Sequence, residues 1–285
     1  MSKIVNYELI TSTSSIQADM YGSRAKCLQR LIRLGLPVPQ SVALSVPFVN
    51  SIALGKSIDL KKLVTCFPAS PIISVRSSPV SAEWGGPSTI LNIGMNSEIE
   101  KVYSNTLGSF AARELHIKFI KSFAIEVMRL DDEIFDHINI TPEVAIDAYE
   151  QEIAECFPRT IEAQLSEVLK SMSRAWQGTS ARLLRASKGA ADDAGLGLVV
   201  QQMAFGLGKG ESGAGVIQFV DSDTGIKREI GRYLSQSQGR DALINKKAAI
   251  FLTKDERGPS LEDTQPDIFY ELTQAGVNCS KGLKE

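Results

Sequence analysis

Residues 71–94, PIISVRSSPVSAEWGGPSTILNIG, contain two predicted β-strands joined by a loop rich in glycine, proline and serine. The first strand covers 71–76 and ends in Arg76, and the second covers 89–94. Runs of isoleucine and valine between turn-forming residues are typical of buried strands. An arginine at such a strand end offers a fixed fork of donors to phosphate oxygens. A structural arginine whose head reaches solvent from the strand explains the same pattern equally well.

The loop between these strands, 77–89, contains a second candidate site at 81–89. Gly85 and Gly86 allow a ligand to approach the backbone closely, and Thr89 offers a hydroxyl group. A surface loop without a function is the more common explanation of this composition. The loop alone therefore identifies no ligand.

The segment before residue 71 predicts one helix and one strand. Residues 1–20 are polar and predict a loose lead-in. Apolar residues recur at helical spacing over 21–36, and glycine and two prolines at 35–39 end that helix. Residues 42–46 predict a strand. Gly22-Ser23-Arg24 at the helix start could hold a phosphate on its backbone N–H groups, although this feature alone favours a plain helix start.

The second half of the chain predicts a helical block followed by two strands. Residues 97–188 carry apolar residues at three and four spacing, which indicates four or five helices. Strands are predicted at 196–202 and 215–220, as a hairpin around a turn with five glycines in 205–215, and an acidic turn follows at 221–225. That glycine-rich turn matches neither a Walker A loop nor a dinucleotide-binding fingerprint. The tail, 257–285, predicts weak helix.

Composition excludes several classes of protein. The net charge of −2, with 43% hydrophobic and 22% charged residues, gives no reason to expect a nucleic-acid or membrane partner. The four cysteines have no paired spacing, and no His/Cys/Glu cluster has metal-ligand spacing. The two histidines, His116 and His137, lie in predicted helical, charged surroundings and support no catalytic dyad. We therefore expect a cytoplasmic protein with reduced thiols and no metal ligands.

Taken in order, these pieces resemble the nucleotide-binding amino-terminal region of the pyruvate phosphate dikinase family, relatives of phosphoenolpyruvate synthase. The resemblance implies an α+β, ATP-grasp-like fold of two lobes with a helical insertion, divided into 1–96, 97–188 and an incomplete 189–285. The combination is more specific than any single motif. The matching stretches, which span nearly the whole chain with fitting spacing, are 22–28, 34–39, 75–78, 89–94, 157–158, 164–165, 175–176, 200–206, 212–216, 224–225 and 234–239.

The resemblance also implies roles for individual residues. Arg76 matches the strand arginine that contacts phosphates in the family, and Arg24 stands where the family has a phosphate-binding lysine. Gly85 and Thr89 fall in the family's nucleotide-covering loop.

The resemblance also implies which residues lie near the adenine and which reaction the family catalyses. Gln202 and Met203 lie on the strand whose backbone meets the adenine. The family passes the β-phosphoryl of ATP to a histidine on a separate swivelling domain. The implied cofactors are therefore ATP and magnesium, and the implied partners are a nucleotide and a phosphohistidine domain on another chain.

Several positions depart from the family pattern. An arginine replaces lysine at 24, and the loop at 82–88 lacks the family's aspartate and methionine-rich residues. Val220 and Ser222 stand where an arginine and a proline are expected, and Arg232 replaces a glutamate expected to bind ribose. Residues 240–285 do not supply the acidic and glutamine residues that hold magnesium in the family, so neither metal ligands nor catalytic residues are assigned.

Three hypotheses follow for function. The first is an ATP-binding domain of a dikinase-like phosphotransferase, truncated or degenerate, and inactive as this isolated chain. The second is a non-catalytic binding or regulatory module that retains the dikinase amino-terminal fold. The third is an unrelated α+β domain with chance motif matches.

Overall fold

The protein combines helices with two antiparallel sheets, as the predicted α+β class requires. The computed structural model describes residues 6–56, 58–136, 140–221, 223–239, 241–245 and 247–283. The chain divides into two compact units, one formed by 1–104 with 112–203 and the other by 105–111 with 204–285. The division into 1–96, 97–188 and 189–285 stays a prediction.

The first unit contains a five-stranded antiparallel sheet in the order β1-β2-β5-β3-β4. Its strands are β1 (Tyr7–Leu9), β2 (Ser41–Leu44), β3 (Ile73–Pro79), β4 (Ile90–Ile93) and β5 (Leu196–Gln202).

Two predictions about this sheet are wrong. The polar lead-in contains β1, because its backbone pairs with β2 although its side chains stay partly exposed. Strand β3 continues beyond Arg76 into the predicted loop, because Ser77, Ser78 and Pro79 pair with β5.

Eight helices of the described residues belong wholly or mainly to the first unit. They are α1 (Ala18–Arg33), α2 (Val46–Ala53), α3 (Lys61–Val64), α4 (Ser97–Leu107), α5 (Ser109–Ser122), α6 (Pro142–Ile153), α7 (Ile161–Gln177) and α8 (Thr179–Ala186). A 3₁₀ turn covers Ala82–Trp84, a π turn covers Phe123–Val127, and another 3₁₀ turn covers Asp132–Phe135. The helices α4 to α8 confirm the predicted helical block. The predicted helix end near residue 35 is also confirmed, since Gly35 has a φ of +76° there.

Both faces of the first sheet are buried. Helix α1 covers one face, where Tyr21 and Ala25 pack in a cluster with Ala43 and Val199. The other face carries fully buried valines, and α7 contacts β3 and β4. The helical part adds an aromatic cluster with ring centroids 5.1–6.1 Å apart, formed by Phe119, Phe123, Tyr149 and Phe157.

The second unit is built on a three-stranded antiparallel sheet in the order β6-β7-β8. Its elements are β6 (Gly213–Val220), β7 (Lys227–Ser235), α9 (Asp241–Ile244), β8 (Ile250–Phe251), α10 (Leu261–Thr264) and α11 (Pro266–Leu283). The acidic turn is confirmed, because the Gly225 N–H donates to the Asp221 carbonyl between β6 and β7. None of the described helices is long and apolar enough to cross a membrane.

One prediction about the second unit is wrong. Strands β5 and β6 do not form a hairpin, because β5 pairs with β2 and β3 whereas β6 pairs with β7. The helix predicted in the tail is present. Helix α11 spans 18 residues, and its Gly276 lies directly against the ring of Phe219 on β6.

Candidate functional site

The start of α1 contains a sharp backbone kink at Gly22. Gly22 has a φ of +84°, and a Cβ there would collide with the backbone oxygen of Ser78, so only glycine fits. The kink begins a new helical segment at Ser23. The Ala25 N–H donates to Ser78 Oγ over 3.1 Å, and the Ser78 hydroxyl donates to the Tyr21 carbonyl over 2.8 Å. Ser78 thus satisfies groups that the kink removes from the helical ladder.

Two further hydrogen bonds join this helical segment to the end of β3. The Ser23 hydroxyl donates to the Pro79 carbonyl over 2.9 Å, and Arg24 Nε donates to the Ser77 carbonyl over 2.8 Å. The start of the helix is therefore held against the strand that carries Arg76. Two motifs that lie far apart in the sequence become one site.

Arg76 extends from the face of the sheet that α1 covers. It pairs directly with Val199, which belongs to the cluster beneath α1. Arg76 Nη1 lies 3.5 Å from Gln201 Oε1, and Gln201 Nε2 in turn donates to Ser41 Oγ over 2.9 Å. Arg76 Nε is buried and has no hydrogen-bond partner. The guanidinium group therefore keeps an unused donor.

The two arginines form a positively charged, partly buried site. Burial lowers the pKa of the Arg76 guanidinium, and the nearby charge of Arg24 lowers it further. Burial likewise lowers the pKa of Arg24. No carboxylate of the described residues forms an ion pair with either arginine. Uncompensated positive charge with a free donor suits an anion.

The loop that was predicted to cover the nucleotide has open space around Gly85. Gly85 adopts a φ of +73°, and a Cβ at this position would have no atom within 4 Å, whereas a Cβ on Gly86 would approach Ser77 Cβ to 2.7 Å. Gly86, to which the resemblance assigned no role, is therefore the glycine that close packing requires. Thr89 is exposed. The structure gives neither Gly85 nor Thr89 a contact with the arginines.

Gln202 and Met203 lie at the end of β5. Met203 follows the strand by one residue and is not part of it, contrary to the prediction. The Gln202 N–H donates to the Gln40 carbonyl and the Met203 N–H donates to the Ile72 carbonyl, each over 2.9 Å. Their backbone donors are therefore already used, and a role toward adenine stays a prediction.

The position expected to bind ribose has a packing role. The Arg232 guanidinium carbon lies 3.7 Å from the ring centroid of Phe251, and Nη1 donates to the Ala249 carbonyl over 3.2 Å. Val220 ends β6 and is 48% exposed. Ser222 and His137 lie outside the described residues.

Two side chains that the sequence did not assign stand out in the structure. Arg129 has a φ of +64° after the π turn and lines a cavity of about 450 Å³ together with Arg174. His116 lies 2.8 Å through Nδ1 from Glu100 Oε2. No local spacing signals either feature, because the π turn depends on packing and the Glu100–His116 pair joins two helices.

Metal-binding groups can be assessed for the part of the chain that the structure describes. Within it, no group of three or more His, Cys, Asp or Glu side chains could hold a metal ion. The unpartnered donor that the described residues offer beside these arginines is a guanidinium N–H. Such a donor suits a phosphate oxygen and cannot ligate a divalent cation.

The fold and these contacts together define an α+β protein in which two partly buried arginines lie close together beside the main sheet. Comparison with curated proteins connects this class to particular enzymes. The chain is 22% identical over 297 residues to pyruvate, phosphate dikinase of Rickettsia prowazekii, and the match covers 90% of the chain and 34% of that protein.

Other matches agree. The Rhizobium meliloti pyruvate, phosphate dikinase is 24% identical over 305 residues, with 91% of the chain and 34% of the relative covered. The chloroplastic enzyme of Flaveria bidentis is 26% identical over 235 residues, with 74% and 24% covered. No family model matches the chain. The predicted resemblance to pyruvate phosphate dikinases is confirmed, and the chain spans about a third of the length of the first relatives.

Proposed function

We propose that this chain binds a nucleotide, as the ATP-binding domain of a pyruvate phosphate dikinase-like phosphotransferase. The Arg24–Arg76 site would hold phosphate oxygens. Bound ATP would supply the phosphoryl group, and the acceptor would be a histidine on a carrier domain of another chain. The observation that best supports this proposal is that Arg76 Nε is buried without a hydrogen-bond partner and lies near a second arginine.

The geometry supports phosphate over other anions for two reasons. Arginine presents several N–H donors in a plane, which match the paired oxygens of a phosphate. The helical segment that begins at Ser23 also has its first turn against the end of β3, which brings the positive end of its dipole there. Charge and donors thus converge from two elements.

Magnesium is implied by the resemblance, and the described residues contain no group of three or more His, Cys, Asp or Glu side chains that could hold it. The proposal therefore assigns this chain the tasks of binding and orienting the phosphates. It assigns no proton transfer and no metal coordination to a residue of the chain. Phosphoryl transfer depends on such positioning together with neutralisation of charge on the phosphates.

Calorimetric titration of the full chain with ATP tests the proposal. We expect a micromolar dissociation constant, which Arg76→Met weakens at least tenfold, because the variant keeps the side-chain length and loses the charge-assisted donors. Arg33→Met is the matched control. Arg33 lies on the same helix as Arg24 and also donates its Nε to a carbonyl, that of Ser12, over 2.8 Å. Absence of binding to the unmodified chain, or equal losses in the two variants, would contradict the proposal.

A non-catalytic binding or regulatory module is the second candidate, and Arg232 favours it. The side chain is engaged with Phe251 and Ala249, so the charge reversal at the ribose position coincides with a structural role. In this case magnesium would not change nucleotide affinity. Micromolar binding of ATP that strengthens with added magnesium chloride would count against the module and for the phosphotransferase domain.

A further inference from the structure

His116 on α5 is a buried histidine with only one satisfied ring nitrogen. Its Nδ1 lies 2.8 Å from Glu100 Oε2, and the side chain is 1% exposed. Its Nε2 is buried and has no hydrogen-bond partner. Native proteins leave few buried polar atoms unpaired, and those that persist call for an explanation such as a ligand. The Glu100 carboxylate fixes the ring so that this nitrogen has a constant direction.

His116 lines a cavity of about 560 Å³ in the first unit. Glu100 is not among the lining residues. Apolar side chains from three different segments form part of the wall, namely Met95, Ile146 and Phe157. The volume is sufficient for a small organic molecule.

The polar part of the wall favours a negatively charged group. Helices α4 and α7 both begin at the cavity, so the positive ends of two helix dipoles meet there. Arg159, which is 68% exposed and lies 3.9 Å from Glu150 Oε1, adds a cationic side chain at the rim. Glu98 and Glu162 also line the cavity, so the attraction for an anion comes from the helix dipoles and His116 and not from the net charge of the lining side chains.

We propose that this cavity binds a small organic oxyanion, a carboxylate or a phosphate monoester that carries an apolar group. The apolar group would contact the wall, and the oxyanion would share a proton with His116 Nε2. Imidazole accepts a hydrogen bond from a protonated acid, and imidazolium donates one to the anion, so both protonation states support the same contact. A metal ion fits less well, since no third His, Cys, Asp or Glu joins this pair among the described residues.

This site is distinct from the proposed nucleotide site. Its lining includes neither arginine of that site and no residue of the loop at 77–89. Failure of one proposal therefore leaves the other unaffected.

Nitrogen NMR of the full chain, labelled with ¹⁵N in its imidazole rings, tests the proposal. The chain has only two histidines, so His137→Gln leaves the resonances of His116 alone. We expect benzoate, phenyl phosphate or both to shift the His116 Nε2 resonance saturably, with a dissociation constant on the order of 1 mM. The stronger of the two probes identifies the oxyanion. Benzyl alcohol and benzylammonium have the same ring and should cause no saturable shift.

A pair of arginine variants sharpens the test. Arg159→Gln should weaken binding of the better probe about fivefold, because a solvent-exposed charge contributes modestly. Arg182→Gln removes an exposed arginine on α8 that does not line the cavity, and it should leave the affinity unchanged. No shift with either anion, an equal shift with benzylammonium, or equal weakening by both variants would overturn the proposal.

Discussion

At the residue scale, Arg76 combines an unused donor with an unneutralised charge, and such a group should reduce the stability of the unliganded protein. Leaving a buried donor unsatisfied costs about 1–3 kcal/mol. Arg76→Met removes the unpaired Nε and the repulsion from Arg24 while keeping the aliphatic part of the side chain. We expect the free energy of unfolding without nucleotide to rise by about 1 kcal/mol, as measured by urea denaturation.

The control for this prediction is Arg185→Met. Arg185 is 4% exposed, stacks 3.7 Å from the ring centroid of Trp176, and donates Nη1 to the Trp176 carbonyl over 2.7 Å. Its loss should destabilise the protein, because both the packing and the hydrogen bond disappear. If Arg76→Met also destabilised the protein, Arg76 would be a structural arginine and the anion site would lose its main support.

The sequence identified both arginines of the site but could not decide their roles. The sequence around Arg24 favoured a plain helix start. For Arg76, phosphate binding and a structural role explained the pattern equally well. A hydrogen bond from Arg24 Nε to the carbonyl of Ser77, 53 residues away, holds the start of the helix against the strand that carries Arg76. Ser78 Oγ accepts the Ala25 N–H and so supports the helix after its kink at Gly22. Local patterns contain no information about such long-range pairing. His116 was set aside for the same reason.

At the element scale, Gln164 on α7 joins three segments of the first unit. Its Oε1 accepts the Gly94 N–H over 2.7 Å, and its Nε2 donates to the carbonyls of Met95 and Pro158 over 3.0 and 2.9 Å. Gln164→Leu would remove the hydrogen bonds of three backbone groups, two of them buried and that of Pro158 half-buried. We expect a loss of roughly 3 kcal/mol or more in the free energy of unfolding, measured by urea denaturation.

Gln177→Leu provides the comparison on the same helix. Gln177 is exposed, and its amide lies 3.5 Å from Asn50 Oδ1, so its replacement should change stability by less than about 0.5 kcal/mol. Similar losses in the two variants would show that the Gln164 side chain does not connect these segments as described. The buried amide thus joins Pro158 and Gln164, which belong to two of the stretches that carried the family resemblance.

Secondary structure was predictable where burial is strong and continuous. Strand β5 matches its prediction to the residue because all but its last position are buried. Strand β1 was missed because it has three residues and lies at an edge of its sheet. Strand β7 begins with Lys227 and Arg228 and has no fully buried position, so no apolar alternation marks it. The predicted hairpin of β5 and β6 was wrong because the spacing of apolar residues indicates which positions are buried and does not indicate which strand is the partner.

At the scale of the whole molecule, similarity to dikinases extends across both compact units, and the chain spans about a third of the first relatives. Both proposed sites lie in the first unit, namely the two arginines and the cavity lined by His116. The second unit is organised differently. Its sheet is packed against α11 through contacts between β6 and residues such as Gly276.

This organisation predicts that the units respond separately to a local change in packing. An alanine at position 276 has the higher helix propensity, but its Cβ would collide with the ring of Phe219 on β6, and overpacking of this kind costs about 1–3 kcal/mol. Since the disturbed contact lies wholly within the second unit, we expect Gly276→Ala to speed amide hydrogen exchange in β6 and β7 and to leave β3 and β5 unchanged. Gly258→Ala is the control, because its Cβ would lie 3.7 Å from Phe251, an ordinary contact distance. Equal acceleration in all four strands of Gly276→Ala would mean that the chain opens as one cooperative body, and the division into two units would then have no energetic meaning.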